Sequence, residues 1–309
     1  MRILHLTDTH LGVRRRVLGG PRNWSRADDH EQAMRSALQP ALRGEVDAVI
    51  HSGDVFDRSR PPQAAIGVAD ALLRQVARCV PTYVIPGNHD RHGVCRTLPV
   101  GAPGLTVCDR PTRVVLGDVA IAMVPYRRTP ESWRIAAQNA VGHGADWLVA
   151  HQAFDGQNVP GLTFRSGVQR DTLRGADVPR GITHILCGHI HPRQRIVTDG
   201  ITVVTPGSTE RTSFSEAQQT KGYAIWDSDR PTPWAFHDLD ARPMKRVSQE
   251  SDLARIDAGD WVATTPAWAD AAQRRGALVT VRQPRQARQP RRARDIGGQL
   301  SLLGPVCIP

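Results

Sequence analysis

The sequence predicts an α/β fold, with one mixed sheet or two packed sheets flanked by helices, followed by a short C-terminal appendage. Three observations carry this expectation. Short apolar, β-branched runs recur as far as Leu239, amphipathic stretches separate the early ones, and glycine-containing turns join later ones into pairs. Strands alternating with helices and then strands joined by tight turns are the pattern of mixed sheets with helical layers.

Arg2–Leu6 is the first strand, and 28–42 follows with Ala33, Ala37, Leu38 and Ala41 at helical spacing. Residues 46–51 form the second strand, and 62–76 a second helix opened by prolines that a first turn tolerates. A third strand covers 82–85. Residues 112–116 and 119–124, joined by Gly117-Asp118, read as a hairpin, and 131–140 as a helix. Buried strands are expected at 147–150 and 183–187, a second hairpin at 194–197 and 201–205 around Asp199-Gly200, and further strands at 223–226 and 234–239. After Met244 the pattern weakens. Residues 248–268 have room for a short helix, 284–294 are low-complexity, and Leu300–Leu303 form a small apolar patch. The expected division is a domain over 1–245 and an appendage over 246–309 with an arginine-rich, disordered tail at 274–294.

Composition narrows the function. The chain has 309 residues, 40% of them apolar and 23% charged, enough to bury a core and too balanced for global disorder. No apolar run is long enough to span a bilayer, and the opening MRILHLTDTH lacks a signal-peptide layout. Five scattered cysteines without CxxC spacing read as reduced thiols, which points to the cytoplasm. Only Lys221 and Lys245 are lysines among 40 basic residues. Eight arginines, Arg285, Arg288, Arg291 and Arg292 among them, fall between Arg274 and Arg294 without an acid, and the rest of the chain is nearly neutral. Such an arm suits a phosphate backbone, since each guanidinium can fork onto phosphate oxygens; the competing reading is a solvated extension.

The chemistry lies where strands end. Five apolar runs lead into Asp8 and His10, into Asp54, into Asn88 and His89, into His151, and into His189 and His191. Residues at the carboxyl ends of neighbouring strands converge on one crevice. Carboxylate, amide and imidazole donors without a thiolate suit Mn²⁺, Fe or Zn²⁺ and not an iron–sulfur cluster. Seven ligands suit two divalent ions about 3.5–4 Å apart with one bridging carboxylate. Asp54, central among the strand ends, is the expected bridge. His5, His30, His51, His92, His143, His184 and His237 lack ligand spacing and read as core or surface residues. Arg14, Arg15 and Arg16 follow the first motif and are candidates for a DNA backbone, the competing reading being an exposed loop.

DTH at 8–10, GDVFDR at 53–58, GNHD at 87–90, His151-Gln152 and GHIH at 188–191 resemble, in order, the five motifs of the calcineurin-like metallophosphoesterases. PGSTERTSFSE at 206–216, KGY at 221–223 and ARPM at 241–244 are similar to the branch of SbcD-type DNA-repair nucleases. The resemblance implies a metallophosphoesterase fold of two packed mixed sheets over residues 1–245. It implies one metal held by Asp8, His10, Asp54 and His191, and another by Asp54, Asn88, His151 and His189. It implies that His89 faces the scissile phosphate and stabilises or protonates the leaving oxygen. Asp57 resembles the carboxylate that orients this histidine, and Arg58 and Arg211 are candidate phosphate contacts; the competing reading of Asp57 and Arg58 is a salt bridge at a helix entrance.

The implied activity is a Mn²⁺-dependent phosphodiesterase acting on DNA in repair or recombination, as exonuclease or endonuclease. The alternatives are a phosphoesterase for nucleotides or phosphoproteins, and a non-catalytic DNA-binding accessory. Implied partners are DNA, a second copy of the chain and an SbcC-like ATPase. About 60 residues follow Met244, too few for the branch's full capping and docking regions.

Overall fold

The computed structural model describes residues 1–13, 26–90, 98, 101–142, 144–165, 167–242, 244–247, 278–281 and 306–307. Expectations for Arg14, Arg15, Arg16, Arg285, Arg288, Arg291 and Arg292 fall outside these residues, as do His92, His143, the helix within 248–268 and the patch at 300–303. Among the described residues no helix is long and apolar enough to cross a membrane.

The elements run β1 (Arg2–Leu6), α1 (Arg26–Ala37), α2 (Gln39–Leu42), β2 (Ala48–His51), α3 (Gln63–Ala77), β3 (Thr82–Val84), β4 (Leu105–Val107), β5 (Thr112–Leu116), β6 (Val119–Val124), α4 (Pro130–Val141) and β7 (Trp147–His151). Four two-residue strands follow, β8 (Ala153–Phe154), β9 (Asn158–Val159), β10 (Leu162–Thr163) and β11 (Thr172–Leu173). Then come β12 (His184–Gly188), β13 (Gln194–Thr198), β14 (Ile201–Thr205), β15 (Lys221–Asp227), β16 (Trp234–Leu239), β17 (Met244–Val247), β18 (Leu278–Val281) and β19 (Val306–Cys307).

Two six-stranded mixed sheets result. The first is ordered β16-β15-β1-β2-β3-β4, with β1 to β4 parallel and β15 antiparallel to β1. The second is ordered β13-β14-β12-β7-β6-β5, with β14, β12, β7 and β6 parallel and the two edge strands antiparallel. Both expected hairpins form in register. Leu116 faces Val119 around Gly117-Asp118, and Thr198 faces Ile201 around Asp199-Gly200. Asp199 and Gly200 have φ of 48° and 81°, the left-handed pair that matches strand twist.

Three apolar layers hold these sheets. Leu4, Leu6, Val49 and Val84 of the first sheet pack against Met34, Leu38, Leu72, Leu73 and Val76 of the helices. On the second sheet, Ala122, Leu148, Ile185 and Val203 pack against Trp133, Ala136, Ala137 and Ala140 of α4. Between the sheets, Ile3, Ala48 and Ile50 interleave with Ile121, Met123, Val149, Leu186 and Val204. Each fully buried Val, Leu, Ile or Met side chain among them contributes roughly 1.5–3 kcal/mol.

The single helix expected over 28–42 is two, broken at Leu38. Pro40 has no N–H to continue the ladder and instead opens the first turn of α2. Strand β4 was not anticipated. It is three residues long and only Leu105 is buried, so it carries little periodicity.

The chain divides into two compact units, Met1–Arg14, Ala27–Arg211 and Gln219–Ala241 in one, and Arg15–Arg26, Thr212–Gln218 and Arg242–Pro309 in the other. In the second unit β17 pairs in parallel with β18, and β18 antiparallel with β19. Leu278–Val281, inside the stretch expected to be disordered, are therefore strand.

Candidate metal centre

The carboxyl ends of β1, β2, β3, β7 and β12 bring all seven candidate ligands to one place within the first unit. The backbone turns abruptly there. Of the five described non-glycine residues with positive φ, four are candidate ligands: Asp8 (51°), His10 (46°), Asp54 (53°) and His189 (85°). This conformation costs on the order of 1 kcal/mol per residue and persists where surrounding bonds over-determine it. Such bonds are present. Asp8 N–H donates to the Gly53 carbonyl and His10 N–H to the Asp54 carbonyl, at 3.0 and 3.1 Å. His189 N–H donates to Asp8 Oδ2 at 3.0 Å, and His89 N–H to Asp54 Oδ1 at 2.8 Å. The backbone must also come close. A Cβ on Gly87 would collide with Asp54 Oδ1, and one on Gly188 with Thr7 Oγ1 and the Ser52 carbonyl.

The donor atoms of these groups converge. Asp8 Oδ1 is buried without a hydrogen-bond partner and lies 3.8 Å from His10 Nε2 and 3.7 Å from His191 Nε2, which are themselves 3.1 Å apart. Asp54 Oδ2 lies 3.9 Å from His10 Nε2 and 3.3 Å from His151 Nε2. Asn88 Oδ1 sits 3.0 Å from His151 Nε2 and 2.8 Å from His189 Nδ1. His151 Nδ1 donates to the Ser52 carbonyl at 2.8 Å, which fixes the neutral tautomer and turns its Nε2 lone pair into the cluster. An array of acceptors facing acceptors is unfavourable by itself and is completed by cations. The donor set therefore fits two divalent ions, with Asp54 in reach of both groups. Potential ligand atoms of Asp8, His10 and His191, of His10, Asp54 and His89, and of Asp8, Asp54 and His151 each lie within 4.8 Å of one another.

Without cations the protons redistribute. Burial opposes a charged His151, but the Asp54 carboxylate and its hydrogen bond outweigh this and push it up to about 9. Burial likewise opposes ionisation of Asp54, yet His151 and His10 hold it below the usual carboxylate range. Asp8 is raised by burial.

His89 is the accessible member, with 41% of its side chain exposed and Nε2 3.9 Å from Asp54 Oδ2. Its Nδ1 donates to the main-chain carbonyl of Asp57 at 2.6 Å. The expected carboxylate–histidine contact is therefore corrected: the Asp57 carboxylate turns away and pairs with Arg58 at 3.1 Å. Arg58 is thereby engaged, and Arg211 donates to the Gln219 carbonyl at 2.9 Å.

Several supporting residues escaped the sequence reading. Asp90, fully buried, accepts from the N–H groups of Val55, Phe56 and Gly87 at 3.1, 3.0 and 3.0 Å, clamping the Asp54 loop to the Asn88 loop. Burial, reinforced by Asp54, pushes its carboxyl up to about 7. Its signal was the last letter of GNHD. His51, read as core, donates from Nε2 to Thr9 Oγ1 at 3.0 Å, and Thr9 Oγ1 donates to the Val55 carbonyl at 3.1 Å, bracing the first loop. Asp171 places Oδ2 3.6 Å from His189 Nε2, on the ring edge away from Asn88. Gln152 ties the chain after β6 to the 171 loop through the carbonyls of Arg127 and Asp171, at 3.0 and 2.9 Å.

The calcineurin-like phosphoesterase family matches over residues 1–193. Among curated relatives, the DNA double-strand break repair protein Mre11 of Thermoplasma acidophilum is 30% identical over 273 residues, covering 81% of this chain and 68% of that protein. Mre11 of Methanococcus maripaludis is 27% identical over 239 residues, covering 72% and 60%. Mre11 of Haloferax volcanii is 30% identical over 271 residues, covering 82% and 55%. The matched region thus spans about half to two thirds of these relatives' length.

Proposed function

The chain belongs to the calcineurin-like phosphoesterase family, and on that premise we propose that it is a two-metal phosphodiesterase acting on DNA, as an exonuclease or structure-dependent endonuclease of the SbcD type. The observation that carries the proposal is the meeting of seven oxygen and nitrogen donors from five strand ends around the buried carboxylate of Asp54. The similarity to DNA repair proteins supports DNA as the substrate.

In this proposal Asp8, His10, Asp54 and His191 hold one divalent ion, and Asp54, Asn88, His151 and His189 the other. Manganese is the proposed metal, with iron or zinc compatible with the same donors. When bound, such ions supply Lewis acidity at phosphorus and lower the pKa of water. The protein contributes the rest. The strained loops hold the ligands in place before metal arrives, so little reorganisation is needed. His151 keeps its proton on Nδ1 through the Ser52 carbonyl and offers Nε2. His89, oriented by the Asp57 carbonyl and partly exposed, would give a proton from Nε2 to the departing oxygen. DNA is the proposed partner; the arginines at 285, 288, 291 and 292 are proposed to add backbone contacts.

Hydrolysis of linear DNA, bis-p-nitrophenyl phosphate and p-nitrophenyl phosphate, compared with Mn²⁺, with chelator and after single-metal add-back, tests this reading. DNA and the diester should turn over and the monoester should lag. DNA left intact while small esters turn over would instead favour a nucleotide or phosphoprotein substrate. Unchanged DNA degradation by His89→Ala would remove the catalytic assignment.

A further inference from the structure

The parallel strand β6 also ends at this crevice, beside β7, and its end carries no acid, amide or imidazole. It leads instead through Pro125 to Tyr126 and Arg127. This segment is pinned to ligand loops of both sheets. Tyr126 N–H donates to the Pro86 carbonyl at 3.1 Å, just before Asn88 in the chain. Gln152, next to His151, accepts from Arg127 N–H at 3.4 Å and donates to its carbonyl at 3.0 Å. The Tyr126 ring lies 6.3 Å from the His151 ring and 6.0 Å from the His189 ring. The Arg127 guanidinium folds back on this frame, donating from Nη1 to the Tyr126 carbonyl at 3.0 Å.

That guanidinium is half-buried and has no carboxylate partner among the described residues. Arg58, by comparison, pairs with Asp57, Arg134 with Asp177 and Arg193 with Asp238. Partial burial disfavours its charge with nothing opposing. Desolvating a cation without an anion is unfavourable in proportion to its burial, and its planar fork suits phosphate oxygens. We infer that Arg127 is the substrate-binding side chain that receives a non-bridging phosphate oxygen of the diester, the role the sequence assigned to Arg58 and Arg211. The inference rests on the phosphodiesterase reading and adds the anion-recognising group to it.

Steady-state hydrolysis of bis-p-nitrophenyl phosphate by the Mn²⁺-loaded full chain, with Arg127→Gln and Arg127→Lys, tests it. Arg127→Gln should raise KM about ten- to a hundredfold, the effect of losing a charge-assisted bond, with a smaller change in kcat. Arg127→Lys should recover part of the loss, because it keeps the charge without the fork. The melting temperature of both variants should stay near that of the parent. In parallel, the salt slope of DNA binding should become shallower by about 0.9 in Arg127→Gln, one phosphate contact fewer. An active parent with unchanged KM and salt slope in Arg127→Gln overturns the inference and leaves the phosphodiesterase reading standing. A KM rise that Lys does not relieve, with a fallen melting temperature, assigns Arg127 to structure and also overturns it. A parent inactive on every phosphoester overturns both.

Discussion

Replacing Asp90 with alanine isolates the clamp behind the candidate metal centre. In the parent its carboxylate accepts three buried main-chain bonds, from Val55, Phe56 and Gly87. Removing it leaves three N–H groups without an acceptor, each costing about 1–3 kcal/mol. The losses do not add fully, since the vacated space can admit water, so the expected destabilisation is about 3–5 kcal/mol. Against a typical total of about 5–15 kcal/mol this is severe but leaves a folded protein to assay. Asp90→Asn keeps one carbonyl oxygen and should cost about half as much. Urea denaturation with an unchanged m-value gives the stability loss, and hydrogen exchange at Val55, Phe56 and Gly87 shows whether it is local. A loss under about 1 kcal/mol in Asp90→Ala, with the three amides still protected, would refute the clamp.

Gly188→Ala drives a methyl group into Thr7 Oγ1, the Ser52 carbonyl and His151 Nδ1, so it should cost about 1–3 kcal/mol and weaken Mn²⁺ binding, read by competition titration; parental affinity would contradict the packing described. Mn²⁺ at about 100 times its Kd should stabilise the protein by about 2.7 kcal/mol, a rise of roughly 5–10 °C in Tm that chelator reverses and Asp54→Asn abolishes. A Tm indifferent to divalent ions would sink the metal assignment without reference to turnover. Changing Arg285, Arg288, Arg291 and Arg292 together to glutamine should flatten the salt slope of DNA binding by about 3–4 while sparing hydrolysis of the small diester; an unchanged slope would mean that these arginines are only solvated. Substitution is preferable to truncation from Arg274, which would also remove strand β18.

The convergence of seven side chains was legible because each of the five strands that carry them announces itself twice, by an apolar run and by a His, Asp or Asn after it. The end of β6 follows the first half of that rule and breaks the second: VPYRR contains no metal-type donor, so Tyr126 and Arg127 passed unseen. The contact to His89 was assigned to the wrong atom for a related reason. A sequence displays the carboxylate of Asp57, whereas the structure uses its carbonyl, which every residue possesses. Asp90 stood inside a motif, but only tertiary contacts show that its partners are amides from two loops. The helix break at Leu38 was readable in Pro40 and was outweighed by the run of alanines and leucines around it.

The apolar filling between the sheets bears on more than stability. Three of the strand ends that carry candidate ligands belong to one sheet and two to the other, so Ile3, Ile50, Met123, Val149 and Leu186 act as a spacer that gauges the gap across which those side chains meet. Thickening or thinning that spacer by a methylene would move one half of the donor set against the other. Substitutions at these positions should therefore be tolerated best where they conserve volume, so the fit of the donor set depends on apolar residues that never touch it.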